Sequence, residues 1–279
     1  MAIIFHLGYD CQQANTTMKI HNIVTNSKPG AQANQSIIDG IAVLQALATA
    51  GKPVGGSEVA KILGLEVTRA NRLLKTLASI GITQQTSNRK YEPGPGMHVL
   101  ATQSLYASGL LRSALAPLEN LAFFGRTVAL GVLWYDSVSF LYHARPGMAA
   151  SEGIGRIGLR AATTSGIGLA LLANSSEDTV RSTYATGDIP GFPDGIESLL
   201  AELAKIRQQG YARVNVASDN PQFASQTTHT IAVPLDASPG AAIALSGWIS
   251  EAETADIVQA LQQAKLKIAE NLKAAKSES

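Results

Sequence analysis

Apolar residues recur every three or four positions in three short stretches between residues 36 and 81, and the last of these is the most lopsided. In GLEVTRANRLLKTLASIG, Gly64 to Gly81, a turn of about 100° per residue places Ala70, Leu73, Leu74, Leu77 and Ile80 in one arc roughly 120° wide. That arc predicts a helix with a buried side. The opposite arc carries Thr68, Asn71, Arg72, Lys75 and Ser79, with Arg69 and Thr76 at its border, so it holds cations, hydroxyls and an amide but no carboxylate. Solvated faces usually mix charge signs, which makes this one a candidate interaction face. Thr68 is the expected N-cap, and Gly81 supplies the left-handed stop.

Two helices precede it. SIIDGIAVLQALATAG opens with Ser36 as cap and Asp39 three residues on, and repeats Ile37, Ile41, Leu44, Leu47 and Ala48 at helical spacing. SEVAKILG is a short second helix, capped by Ser57 and ended by Gly64, so a helix, a turn and a helix follow one another. After Gly81, ITQQT and RKYE flank the turn residues SN, which predicts a small polar hairpin. The order is that of a winged helix-turn-helix. PGPG, Pro93 to Gly96, then marks a boundary, and the helical pattern resumes in a linker helix over 97–109.

Past the linker, TVALGVLWY and SVSFLYHA alternate as a hairpin around DS, and helices are expected over 163–173, 177–184 and 194–209, the last with Asp194 and Glu197 in capping-box spacing. YARVNV, THTIAVPL and AAIALSG read as strands, and EAETADIVQALQQAKLKIAENLKAAK as a closing amphipathic helix. The fold class is therefore α+β in two domains: a tail over 1–35 without period and expected to be mobile, a winged domain over 36–96, the linker, and an antiparallel-sheet domain over 110–279.

Composition narrows the chemistry. The single cysteine, Cys11, excludes an intrachain disulfide, and a formal net charge of +1 means that any basic surface is local. No apolar run reaches the 18 residues that suggest a membrane span, so the expected compartment is the cytoplasm. The five histidines show no metal-ligand spacing, and no G-x-S-x-G elbow occurs, so neither metal, cofactor nor catalytic residue is expected and the chain is read as a non-enzyme. GIGRIG, with Gly153, Gly155 and Gly158, matches G-x-G-x-x-G, but LRAATTSG follows it instead of an immediate helix.

Between residues 36 and 95 the cations Lys52, Lys61, Arg69, Arg72, Lys75, Arg89 and Lys90 outnumber Asp39, Glu58, Glu66 and Glu92 by three. Five of the seven lie on the spare helical face or the hairpin, the two elements that a winged helix-turn-helix lays on DNA. Arg69, Arg72 and Lys75 can approach guanine, Asn71 can pair with adenine, and Ser57, Thr68, Arg89 and Lys90 can reach phosphates.

The segment GGSEVAKILGLEVTRANRLLKTLASIGITQQTSNRKYEPGPGMHVLA resembles the N-terminal domain of the IclR family of bacterial transcriptional regulators. GLRAATTSGIGLALLA, THTIAVPL and AIALSGWIS are similar to the family's effector-domain signatures, so the resemblance covers about residues 36–275. It implies a GAF-like domain that binds a small molecule, such as a short carboxylate, hydroxy acid or aromatic acid, and alters DNA affinity. By motif position the resemblance assigns Ser165, Gly166 and Ile167 to the ligand through the helix start, with Thr230, Ser246 and Asp219 or Asn220 from the strands. RAAT departs from the family's Leu-Pro-x-His, and there Arg160 is a candidate carboxylate anchor if it points inward, a surface residue if outward. Leu169 stands where the family usually has Lys. The expected protein is a homodimer or dimer of dimers that represses a catabolic operon until a metabolite releases it, an activator of the same architecture being the alternative.

Overall fold

The computed structural model describes residues 34–155, 157–216 and 228–277. Contacts divide the chain into two compact units, with the boundary between Met97 and His98.

The first unit holds α1 (Gln35–Ala50), α2 (Gly56–Leu63), α3 (Val67–Ser79) and the hairpin β1 (Thr83–Gln85) and β2 (Tyr91–Pro93). Val43, Leu47, Val54, Val59, Leu74 and Tyr91 form its core. Val54 and Tyr91 exchange two 2.8 Å backbone hydrogen bonds, and the Thr83 hydroxyl donates to the Leu74 carbonyl, so the hairpin is tied both to the chain before α2 and to α3.

The helix ends differ in detail from the expected caps. Asn34, not Ser36, caps α1 by accepting from the N–H groups of Ser36 and Ile37. Gly55 stands at the N-cap of α2 and Glu66 at that of α3, neither with a side-chain cap bond, so Ser57 and Thr68 lie inside first turns. Backbone conformation chose the cap in both cases: Gly55 and Glu66 are the last extended residues. Gly51, Gly64 and Gly81 are left-handed, as stop residues should be. Ile80 is 66% exposed because the chain has left the helix at that point. In α1 the buried face is Asp39, Gly40, Ala42, Val43 and Leu47, while Ile37 and Ile41 are exposed, so the helix is rotated from the expected setting by a carboxylate that faces inward.

Helix α4 (Pro95–Ser108) crosses the boundary; it begins two residues before the expected linker helix, with proline at a helix start where its missing N–H costs nothing. Left-handed Gly109 separates it from α5 (Leu110–Leu121).

The second unit is a six-stranded antiparallel sheet of β3 (Thr127–Trp134), β4 (Ser137–Ala144), β5 (Arg160–Ala161), β6 (Ala212–Val216), β7 (Thr228–Pro234) and β8 (Ala241–Gly247), in the order β5-β4-β3-β8-β7-β6. The short strand β5 falls in a segment that carries no strand pattern. Strand alternation sorts the sheet into two faces. Val128, Leu130, Ile231, Val233, Ile243 and Leu245 pack with α5 and with α9 (Thr254–Ser277). Ala129, Ala232, Ala242 and Ala244 pack with α6 (Gly166–Ala173), α7 (Glu177–Thr183) and α8 (Ile196–Gln209). The expected helix over 163–173 is a 3-10 turn, Ala162–Thr164, followed by α6 with Ser165 as its cap. The helix expected over 194–209 starts at Ile196 behind left-handed Gly195, so Asp194 and Glu197 form no capping box and Glu197 pairs with Arg181 instead.

The small side chains on the α6 face let that helix approach closely. A Cβ on Gly168 would stand 2.1 Å from the Ala162 carbonyl oxygen, and one on Gly166 would meet the Thr230 methyl at 2.7 Å.

Candidate nucleic-acid interface and effector site

Helix α3 buries Ala70 and Leu74 and presents Thr68, Arg72, Lys75, Thr76 and Ser79 to solvent. Two of its hydroxyls turn back on their own helix: Thr76 donates to the Arg72 carbonyl at 2.9 Å and Ser79 to the Thr76 carbonyl at 2.8 Å. Thr68, Arg72 and Lys75 therefore make up the chemically open strip. Ser57 is exposed in the first turn of α2, where its hydroxyl sits beside N–H groups that favour an anion.

Arg89 and Lys90 are exposed at the hairpin tip. The tip is held by its own backbone: Thr86 N–H donates to the Lys90 carbonyl at 2.8 Å and Arg89 N–H to the Thr86 carbonyl at 3.0 Å, with Arg89 at φ 61°.

Two of the sequence-assigned residues face neighbouring helices. Asn71 is half-buried, and its amide oxygen lies where a Gly56 side chain would be, 2.0 Å from the Cβ position, so it keys α3 to the start of α2. Arg69 donates through Nε to Asp39 Oδ2 at 2.5 Å, and Asp39, 1% exposed, also accepts from the Gln35 amide at 2.8 Å. Sequence reasoning read Asp39 as the residue three after a Ser36 cap and as a charge, and passed over Gln35. The available signal was a carboxylate one helical turn before the buried pair Ala42 and Val43.

In the second unit the structure brings together Ser165, Gly166, Thr230 and Ser246. Ser165 caps α6 by accepting from Gly168 N–H at 3.4 Å, and Ile167 beside it is buried. Thr230 and Ser246 are cross-strand partners, and the Thr230 hydroxyl donates to Ser246 Oγ at 2.8 Å while its methyl rests on Gly166. Arg160 is elsewhere: it lies on edge strand β5, three strands from β8, or about 14 Å at ordinary strand spacing. Asp219 and Asn220 lie outside the described residues.

Two polar groups on the α6 side were given no role from the sequence. The hydroxyls of Thr163 and Tyr184 are both buried without a hydrogen-bond partner among the described residues. Burial, reinforced by the Asp136 carboxylate, holds the Tyr184 phenol far above its ordinary value, so it stays a neutral donor.

Among the described residues no three His, Cys, Asp or Glu side chains group as a metal site, and no helix is long and apolar enough to cross a membrane. The GIGRIG glycines run from the end of a 3-10 turn toward β5 and open no helix, so they lack the strand-to-helix setting of a dinucleotide loop.

Residues 37–87 match the family model of the IclR helix-turn-helix domain. An IclR transcriptional regulator from Alicyclobacillus acidocaldarius shares the fold with a TM-score of 0.64 and 21% identity, over 86% of this chain and 100% of that one. A regulator structure from a Silicibacter species gives 0.71 and 22%, over 85% and 96%. An IclR homologue from Microbacterium hydrocarbonoxydans, solved with 4-hydroxybenzoate, gives 0.62 and 22%, over 86% and 99%. No curated protein matches the chain. Residues 37–87 are therefore a helix-turn-helix domain of the IclR type, and the fold of the chain is the one that solved IclR regulators share.

Proposed function

We propose that the chain is a ligand-responsive transcriptional regulator that binds double-stranded operator DNA through α3 and the hairpin tip, and that it represses until a small carboxylate-type metabolite releases it. The observation that carries the reading is the exposed strip Thr68, Arg72 and Lys75, free of carboxylates, in the same winged unit as exposed Arg89 and Lys90. An α-helix fits the major groove, where Arg reads guanine, while the tip cations suit phosphates.

The reading includes self-association, since two recognition helices on a two-fold axis read a palindromic site. Helix α4 buries none of its residues and exposes Val99, Leu100 and Tyr106, an apolar surface suited to a second copy in a dimer or a dimer of dimers. The effector site is drawn from Ser165, Gly166, Ile167, Thr230 and Ser246: a helix start beside two strand hydroxyls, in an otherwise apolar setting, favours a small anion. The 4-hydroxybenzoate held by a structural relative is of that chemical class. Arg160 stays outside this set because of its place on the sheet edge.

The test is a duplex selected by the protein from a random pool, titrated at several salt concentrations with and without short carboxylates, hydroxy acids and 4-hydroxybenzoate. Salt-dependent binding weakened by one of these acids is expected. Binding that ignores salt would reject the DNA interface.

A further inference from the structure

The pair Asp39 and Arg69 joins α1 to the first turn of the recognition helix. Asp39 is 1% exposed and accepts from the Gln35 amide at 2.8 Å and from Arg69 Nε at 2.5 Å. A buried carboxylate is stabilised only while it is paired, so Arg69 is directed inward although 32% of its side chain remains exposed. Arg72 lies three residues after Arg69 and Lys75 six, on the open side of the same helix. The helix therefore cannot turn about its axis without breaking this bond, and the bond joins the buried Ala70 and Leu74 and the packing of Asn71 on Gly56 in setting the direction in which Arg72 and Lys75 point. It also withholds one cation from the sequence-independent attraction of phosphates.

We infer that Asp39 is a positioning residue of the DNA interface, acting through Arg69, and that Arg69 itself makes no phosphate contact. The inference rests on the DNA-binding reading above and gives that interface a specificity element on α1. Asp39→Asn leaves the side-chain shape and the Gln35 bond but removes the charge that holds Arg69. The paired substitution Asp39→Leu with Arg69→Met replaces both ends with apolar groups of comparable size, which buried ion pairs often tolerate.

The experiment uses the full chain and two probes, the duplex enriched by the wild-type protein and a random duplex of the same length, each titrated across salt. Asp39→Asn is expected to steepen the salt slope by about 0.9 as Arg69 becomes available, and to lower the preference for the enriched duplex about tenfold. The double variant is expected to keep the wild-type slope and lose the preference. A double variant whose slope falls by about 0.9 places Arg69 on a phosphate and overturns the inference. So does a preference unchanged in both variants, whatever happens to their melting temperatures, since that is the signature of a purely structural pair. If Asp39→Asn fails to fold, the double variant decides alone. A wild-type protein that binds neither duplex rejects the DNA-binding reading and this inference with it, an outcome distinct from either of the others.

Discussion

Helix α3 buries Ala70 and Leu74 and leaves Thr68, Arg72 and Lys75 in solvent, whereas α6 buries all eight of its residues, from Gly166 to Ala173. The first is built to be read by something outside the molecule, so its side chains carry the chemistry and its backbone only holds them. The second contributes backbone at its capped start, where Gly166 lets the chain come close to Thr230 of the sheet. On the function proposed above, a large anionic surface and a small molecule are met through opposite parts of the same kind of element. Two helical glycines show how differently a helix can be packed. Gly40, in the middle of α1, has nothing within 4 Å of its Cβ position, while Gly168 would place a methyl on the Ala162 backbone.

The sharpest way to break the comparison is therefore to add one methyl to each unit. Gly168→Ala should destabilise the sheet unit by about 3 kcal/mol, because backbone and not a flexible side chain stands in the way. Gly40→Ala should stabilise the winged unit by about 0.5–1 kcal/mol by restricting the unfolded chain and improving helix propensity. Urea unfolding of each variant, followed for both units, measures the two effects. A Gly168→Ala protein that unfolds at the wild-type midpoint would mean that α6 does not sit so close to the Ala162 backbone.

Next in size is Arg72→Ala, which should cost about 1–3 kcal/mol of binding to the enriched duplex and leave the melting temperature unchanged, since the side chain is exposed. Asn71→Ala sharpens the contrast. Its amide is packed on Gly56, so it should lower stability as well as affinity, and a loss of affinity alone would show that the amide faces the groove.

Much of this was legible in the chain. The helix-turn-helix, the hairpin and the two faces of the sheet follow from periods of 3.6 and 2, because burial imposes those periods on the side chains directly. The glycine stops were legible for a similar reason: a left-handed residue needs glycine wherever it falls. The caps were not. Ser36, Ser57 and Thr68 have the right chemistry, but the position of a cap is fixed by where the chain turns, and that depends on how α1, α2 and α3 pack. The roles of Asp39 and Arg69 were hidden for the same reason, since a pair thirty residues apart has no periodic signature. Thr230 and Ser246 were placed together by motif resemblance, and their hydrogen bond comes from a strand register that the sequence does not print.

A smaller effect separates the two cationic elements of the winged unit. Lys90→Ala should weaken binding to the enriched and the random duplex alike and lower the salt slope by about 0.9, as expected for one phosphate contact at an exposed hairpin tip. The ratio of the two affinities should stay at its wild-type value. A selective loss on the enriched duplex would move Lys90 from backbone contact to base reading and narrow the distinction between α3 and the wing.

The smallest expected change lies in the sheet unit, at the start of α9. Glu253 accepts the Ser250 N–H at 2.9 Å, the Ser250 hydroxyl at 2.8 Å and Arg126 at 3.1 Å, and these donors, the Ser250 backbone first, hold its carboxyl below the ordinary value of 4.5. A carboxyl depressed on folding binds its proton more readily in the unfolded chain, so its contribution is present above the ordinary value and disappears as pH falls through the folded one. Glu253→Gln removes that dependence. Its melting temperature should fall slightly at neutral pH and converge on the wild type at acidic pH, with a shallower acid limb between. Arg72→Ala, with no such carboxylate involved, should follow the wild-type acid limb throughout, so a parallel series of melts from neutral to acidic pH tests whether acid sensitivity at this corner belongs to the loop before α9. Superimposable acid limbs for Glu253→Gln and the wild type would show that the Ser250 and Arg126 contacts do not persist in solution.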